Sequence, residues 1–280
     1  ERSQVHREAG QRSSLQRLRD EGVHFALRGA ARLGSMAGSM GSLGTLPGFG
    51  AAVRPPQPEV PAEAQEVYGR VAIQRIARSL PLVERAYAHA RFSILRPKLL
   101  SVMDLLLTDE GRILDVGCGF GLFAAYFGQT QRARRIVGVD PNGRRVKLAQ
   151  HVATTLGLEH RFVEGDVRTA PIEGPFDAAY VLDVMHHIPA DDQLPVLRRM
   201  RDLLVPGGTL LVKDITTEPR FGLLFTEALD RAMVGFHEPL AYRHHREWGA
   251  MLQGLGFHVR MVRVPDVLPY PHVVIAATKR

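Results

Sequence analysis

The sequence predicts an α/β protein: a doubly wound, mainly parallel sheet of seven strands with an antiparallel hairpin at its C-terminus and a helical extension at its N-terminus. Three observations predict it. At residues 113–121, Ile-Leu-Asp-Val-Gly-Cys-Gly-Phe-Gly, an aliphatic strand pattern breaks into three glycines at alternate positions, and a helical pattern follows at once. Beyond that turn, strand and helix patterns alternate as a parallel sheet with crossover helices requires. The last two strand patterns, 257–264 and 272–278, are joined by a Pro-rich loop without a helix, so they should pair antiparallel.

The N-terminal part divides into several pieces. Residues 11–33 read as a basic amphipathic helix, with Leu15, Leu18, Phe25 and Leu33 near one stripe among arginines. Residues 34–50 are rich in Gly, Ser and Met, and 55–61 read Pro-Pro-Gln-Pro-Glu-Val-Pro, so an irregular linker is expected. We therefore expect 1–60 to be a basic, partly irregular extension. Two readings stand for 11–33: a poorly ordered extension, or a helix that docks on a membrane surface, a protein partner or the active-site mouth. From Pro61 to Leu107 the pattern is helical again, with Ile73, Ile76, Ala77 and Leu80 on one stripe, a break at Pro81, a segment through Tyr87 and Phe92 to Leu95, and a short apolar helix opened by Pro97.

Residues 108–280 carry the sheet. The first strand ends at the glycine turn, and helical stretches at 121–129, 142–156 and 191–204 separate the later strands. Residues 166–175 are too short and too rich in Pro and Gly for a full crossover helix. A second strand, Arg135 to Asp140, ends in an acid; a short third precedes Glu164-Gly165-Asp166-Val167; a fourth runs from Phe176 to Asp183; and Leu204-Val205-Pro206-Gly207-Gly208 turns into a fifth, Thr209 to Lys213. An insertion at 214–247 follows.

Composition sets limits. The 280 residues, 45% hydrophobic, suffice for one substantial core with an appendage. No apolar run approaches the ~20 residues that would span a bilayer. The single cysteine, Cys118, excludes an internal disulfide and fits a reducing compartment, so a cytoplasmic location is expected, with membrane association as the functional reading of 11–33. The formal charge of +7 is unevenly placed. Residues 1–100 hold 15 Lys and Arg against 8 Asp and Glu, whereas 101–280 hold 21 of each. A neutral balance over 101–280 does not favour a nucleic-acid partner for that region.

The glycine turn differs from a dinucleotide fingerprint. Leu122 stands where the third glycine of that pattern belongs, and Asp115 lies where a pyrophosphate would rest and would repel it. The same carboxylate suits a ligand bearing an amino group and a sulfonium. With these stations in this order, residues 98–280 resemble the class I S-adenosylmethionine-dependent methyltransferases, and the small-molecule members in particular. The resemblance implies S-adenosylmethionine as cofactor, held by Asp115, Gly117, Cys118, Gly119 and Gly121 at the turn. Asp140 and Pro141 would lie at the ribose, Asp166 and Val167 at the adenine, and Asp183 at the end of the fourth strand. A reactive thiol at Cys118 is the alternative to a small residue whose backbone faces the cofactor.

The chemistry the resemblance implies is in-line displacement at the methyl carbon, for which an alcohol or phenol acceptor also needs a base. His186 and His187, at the carboxyl end of the fourth strand, are candidates; the other reading is that one ring packs under the cofactor or caps the next helix. Helices before the first motif commonly wall the substrate pocket in this family, which makes Tyr68, His89, Arg91 and Phe92 candidate contacts, against ordinary packing. Tyr242 and His244, in the insertion with His237, Glu238, Arg243 and His245, are candidates for a substrate lid. The spacing of those histidines matches no compact metal motif, so no metal is expected. No base-gripping Asn/Asp-Pro-Pro-aromatic sequence follows the fourth strand. Three readings follow: methyl transfer to oxygen or carbon of a small apolar, lipid-like or natural-product acceptor; an RNA or protein methyltransferase using the basic N-terminus; and a repurposed cofactor-binding protein without transfer activity.

Overall fold

Residue types dictate the order of elements in the computed structural model, which describes residues 62–218, 220, 223–224, 226–227, 240–262 and 271–280, with side chains from Gly69 onward. Three helices come first: α1 (Ala62–Arg78), α2 (Leu82–Ile94) and α3 (Pro97–Leu106). Pro81 flanks α2, and Pro97, which has no N–H to satisfy, occupies the first turn of α3. Arg85 closes the end of α1 by donating from Nε to the Ala77 carbonyl at 2.9 Å and from Nη2 to that of Leu80 at 3.1 Å.

The sheet follows as β1 (Gly111–Val116), α4 (Leu122–Thr130), β2 (Arg134–Asp140), α5 (Gly143–Thr155), β3 (Arg161–Glu164), β4 (Phe176–Leu182), a 3₁₀ turn at Met185–His187, α6 (Ala190–Leu203), β5 (Leu204–Ile215), α7 (His245–Gly254), β6 (Phe257–Val262) and β7 (His272–Lys279). The strands lie in the order β3-β2-β1-β4-β5-β7-β6, and β7 alone runs antiparallel to its neighbours. The predicted terminal hairpin is therefore present, with β7 inserted beside β5. No helix crosses between β3 and β4, as the composition of 166–175 indicates.

The inner strands β1, β2, β4, β5 and β7 are largely buried on both faces, because successive side chains point to opposite layers, whereas the edge strands β3 and β6 are partly exposed. Ile113, Ile136 and Tyr180 join a core with Ile76, Leu80, Phe92, Leu100 and Phe127; Leu114, Val181 and Val212 join a second core with Leu197 and Met200 of α6 and Trp248 of α7. Thus α1–α3 share a core with the sheet, and residues 61–280 form one compact unit.

One boundary differs from the sequence reading. Strand β5 begins at Leu204, not Thr209, because Pro206-Gly207-Gly208 is accommodated as a bulge: Leu204 pairs with Phe176 and Thr209 with Ala178. Gly207 takes φ of +76° there. The extension 1–60 with its predicted helix over 11–33, and His237 and Glu238 of the insertion, lie outside the described residues.

Candidate functional site

The order of strands reverses between β1 and β4, and ligands of open α/β sheets enter the crevice at the carboxyl ends of such a pair. The glycine turn closes β1 there. Gly117 N and Cys118 N both donate to the Val139 carbonyl, at 2.8 and 3.1 Å, and Gly121 N donates back to Cys118 O at 2.8 Å. All three glycines have positive φ, but for different reasons. A Cβ on Gly117 would lie 2.5 Å from Val184, and one on Gly121 would lie 2.9 Å from Ala149; around Gly119 nothing stands within 4 Å. Gly117 and Gly121 permit the protein's own packing, whereas Gly119 presents bare backbone to open space. Cys118 is buried, and burial pushes its thiol well above the usual range. It stays protonated and is no nucleophile.

Two carboxylates flank the turn. Asp140 accepts from Gly119 N and from Asn142 N, both at 2.9 Å, so it ties the turn to the entry of α5 while each oxygen keeps a further lone pair. Asp115 is 3% exposed, and its Oδ2 meets no hydrogen-bond partner among the described residues. Burial raises its pKa to about 7; the neighbouring Tyr180 hydroxyl opposes the shift without reaching hydrogen-bond geometry, and Asp140 adds to it. A buried carboxylate with an unsatisfied oxygen beside bare backbone fits a cationic ligand group. Pro141 is exposed and Val167 buried on either side of this crevice.

Asp166 is arranged otherwise. Arg168 grips its carboxylate, with Nη2–Oδ2 at 2.6 Å, and also reaches Asp192 at 2.5 Å, which holds the Asp166 pKa below its usual value. An amino group arriving at Asp166 has to share it with this arginine.

Asp183, at φ of +50°, ends β4. Its backbone N–H donates to Lys213 O at 2.9 Å, its carboxylate contacts Lys213 Nζ, and Arg91 Nη2 lies 3.1 Å away. Burial pushes this carboxyl up, yet the Lys213 and Arg91 charges hold it well below the usual range. Lys213, fully buried, is pushed down by burial against the opposing effect of Asp183. Asp183 is thus tied into an ion-paired cluster that fastens α2 to the sheet edge.

The histidine pair divides in two. His186 is 1% exposed; its Nδ1 contacts Asp214 Oδ1, its backbone N–H donates to Asp214 Oδ2 at 3.1 Å, and Tyr242 stacks on its ring at 5.1 Å between centroids and 17° between planes. Asp214 is itself held by Ile215 N at 2.7 Å. His187 lies against the His186 ring at 4.2 Å and is half-buried. The β4–β5 register, Leu182 opposite Lys213, brings His186 and Asp214 together. The sequence reading ends the fifth strand at Lys213 and gives Asp214, the first residue of the insertion, no role.

Other candidates lie elsewhere. Phe92 is a core residue, 4% exposed and edge-on to Phe123 at 5.8 Å, because it sits on the buried stripe of α2. His89 is exposed. His244 caps α7: its Nδ1 accepts from Arg246 N at 3.2 Å and its Nε2 lies 3.3 Å from Glu218. Tyr68 lies on α1, but its side chain is outside the described residues. Among the described residues no group of three or more potential metal ligands occurs.

Comparison with known proteins agrees with this geometry. Residues 113–208 match the family model of a methyltransferase domain. The chain is 28% identical over 119 residues to a ubiquinone biosynthesis O-methyltransferase of Leptothrix cholodnii, covering 41% of this chain and 49% of that protein. It is 29% identical over 180 residues to the protein of the same name from Marinobacter nauticus, covering 59% and 72%. The chain spans about half the length of the first of these relatives. Among solved structures it resembles the S-adenosylmethionine-dependent methyltransferase SibL, with a TM-score of 0.59 at 22% identity over 77% of this chain and 69% of that one. It also resembles the pyocyanin biosynthetic protein PhzM, with a TM-score of 0.57 at 21% identity over 70% and 58%. At these identities the structural likeness speaks for the fold.

Proposed function

We propose that this chain, a class I S-adenosylmethionine-dependent methyltransferase by its domain at 113–208, moves the cofactor's methyl group to a hydroxyl oxygen of a small, largely apolar acceptor, with His186 as the base. The observation that carries this reading is the Asp214–His186 pair at the carboxyl edge of β4 and β5. An ionised carboxylate only accepts, so the proton of a neutral imidazole sits on Nδ1 and Nε2 carries the lone pair. Asp214, held at both oxygens, fixes the ring's tautomer and stabilises the imidazolium formed when it takes the acceptor's proton.

The cofactor supplies a methyl carbon made electrophilic by its sulfonium. Asp140 is suited to the ribose hydroxyls, Gly119 to close backbone approach, Asp115 to the cationic end, and Val167 with Asp166 to the adenine edge. The flat rings of Tyr242 and His187 beside His186 suit an aromatic acceptor, and the names of the ubiquinone biosynthesis relatives support oxygen as the atom methylated. The cofactor would supply the methyl group and keep the carbon–sulfur electron pair on its sulfur, while His186 would take the proton of the attacking hydroxyl. Because the ring is almost fully buried beneath the stacked Tyr242, this reading requires a covering side chain to move before an acceptor reaches it.

His186→Gln and Asp214→Asn should each lower kcat toward a phenol panel by roughly 10²- to 10⁴-fold while leaving calorimetric cofactor affinity unchanged. Equal kcat in either variant would overturn the assignment; circular dichroism separates a lowered kcat from unfolding.

A further inference from the structure

Helix α2 has two faces. Its buried face carries Glu84, Ala88 and Phe92, and Glu84 is spent on Arg144 at 3.1 Å. On the other face Val83, Ala86, Tyr87 and Ala90, spaced i, i+3, i+4 and i+7, are all exposed, and Leu82 at the N-terminal end joins them. Leu82 and Val83 expose 78% and 79% of their surface, the largest values among the exposed large hydrophobic side chains. Two adjacent aliphatic side chains at that exposure, on a helix whose outer face holds no acid, are unlike a randomly scattered surface apolar residue.

The surroundings say what this face fits. Between residues 69 and 98 the sequence holds seven cations, of which Arg91 pairs with Asp183, and a single acid, Glu84, which is buried and paired with Arg144. Arg75 and Arg78, in the last turn of α1, are exposed and lead directly into the Pro81-Leu82-Val83 tip. The tip is stiff: Arg85 bonds the Ala77 and Leu80 carbonyls beneath it, and Ser79 Oγ donates to Ile76 O at 2.7 Å. Apolar side chains on a pre-organised turn beside the exposed Arg75 and Arg78 match the two components of an anionic lipid surface, hydrocarbon and phosphate. An RNA partner would use the arginines but would gain nothing from Leu82 and Val83.

We propose that the exposed face of α2, with the Pro81-Leu82-Val83 tip, docks this protein on an anionic lipid surface. The same helix reaches the site at two points. Tyr87 packs edge-on against Phe120 of the glycine turn at 5.5 Å, and Arg91 pairs with Asp183 at 3.1 Å. A docked α2 therefore holds the site next to the bilayer, where an apolar acceptor is concentrated.

The test uses the full chain and needs no methyl-transfer assay, so its failure is distinct from a failure of the catalytic reading. Co-sedimentation would be measured with vesicles of phosphatidylcholine alone and of phosphatidylcholine mixed with phosphatidylglycerol. Binding should require phosphatidylglycerol and fall at least tenfold in Leu82→Asp/Val83→Asp, with an unchanged melting temperature. Val83→Trp should show a blue-shifted emission on the mixed vesicles that is absent on phosphatidylcholine. No binding by the wild type, equal binding by the double variant, or an unshifted V83W emission would overturn the proposal, the last two by assigning binding to another segment. Loss of single-stranded RNA binding in the double variant, without vesicle binding by the wild type, would likewise overturn it.

Discussion

A single carboxylate links the chemistry of the site to pH. Asp115 is buried without a hydrogen-bond partner on Oδ2, and burial lifts its pKa to about 7, so below that value it enters any cofactor complex protonated. A cation bound beside it favours the ionised form, and binding then displaces one proton. Cofactor affinity measured by calorimetry should rise about tenfold per pH unit up to about pH 7 and level off above it. Asp115→Asn should bind more weakly with no such slope, and a flat wild-type profile would remove the cation from Asp115. The acid itself was legible in the sequence, since a carboxylate two residues before a glycine turn excludes a pyrophosphate. Its missing partner was not, because that depends on Tyr180 of another strand. His186 was likewise legible as a residue and illegible as half of a pair: Asp214 lies 28 residues away and meets it only through the β4–β5 register.

At the scale of elements, the glycine turn separates packing from binding. Gly117→Ala places a methyl group 2.5 Å from Val184 at φ of +74°, so it should lower the melting temperature strongly. Gly119→Ala, with open space around it and φ of +51°, should cost only about 1 kcal/mol of backbone strain yet weaken cofactor binding at least tenfold. Thermal melts and calorimetry on the two variants check this; a Gly119 variant that binds normally would mean the ligand does not approach that backbone. The sequence showed three equivalent glycines because spacing carries no information about neighbours. It also read β5 as starting at Thr209, since Pro206-Gly207-Gly208 is locally a turn; only pairing with β4 carries the strand through it as a bulge. The terminal hairpin was readable because a Pro-rich loop without a helix leaves antiparallel pairing as the short connection.

For the molecule as a whole, buried titratable groups set the pH range of stability. His160 bridges β2 and α4, accepting from Ile136 N at Nδ1 and meeting Ala124 O at Nε2, and burial lowers its pKa to about 4. The unfolded chain takes up a proton there near pH 6.5 while the folded one does not, so stability present above about 6.5 is lost as pH falls toward 4. His272, lowered to about 3 by burial, acts in the same direction, whereas Asp115, raised to about 7, makes folding less favourable as pH rises from about 4 to 7. Urea unfolding at about pH 7 and pH 5 should show His160 contributing about 2 kcal/mol of loss, and His160→Gln should lose correspondingly less; equal losses would contradict a neutral buried ring. At this scale too, the sheet places bare Gly119, buried Asp115 and the Asp214–His186 pair at the carboxyl ends of β1, β4 and β5, the arrangement on which the proposed methyl transfer rests. The most direct test is to incubate the protein with methyl-labelled S-adenosylmethionine and an extract of small molecules from its own cell, then identify the labelled product by nuclear magnetic resonance. Label in a methyl ether, lost in His186→Gln, is the predicted result; label on nitrogen or carbon, or a methyl ether formed equally well by the variant, would contradict it.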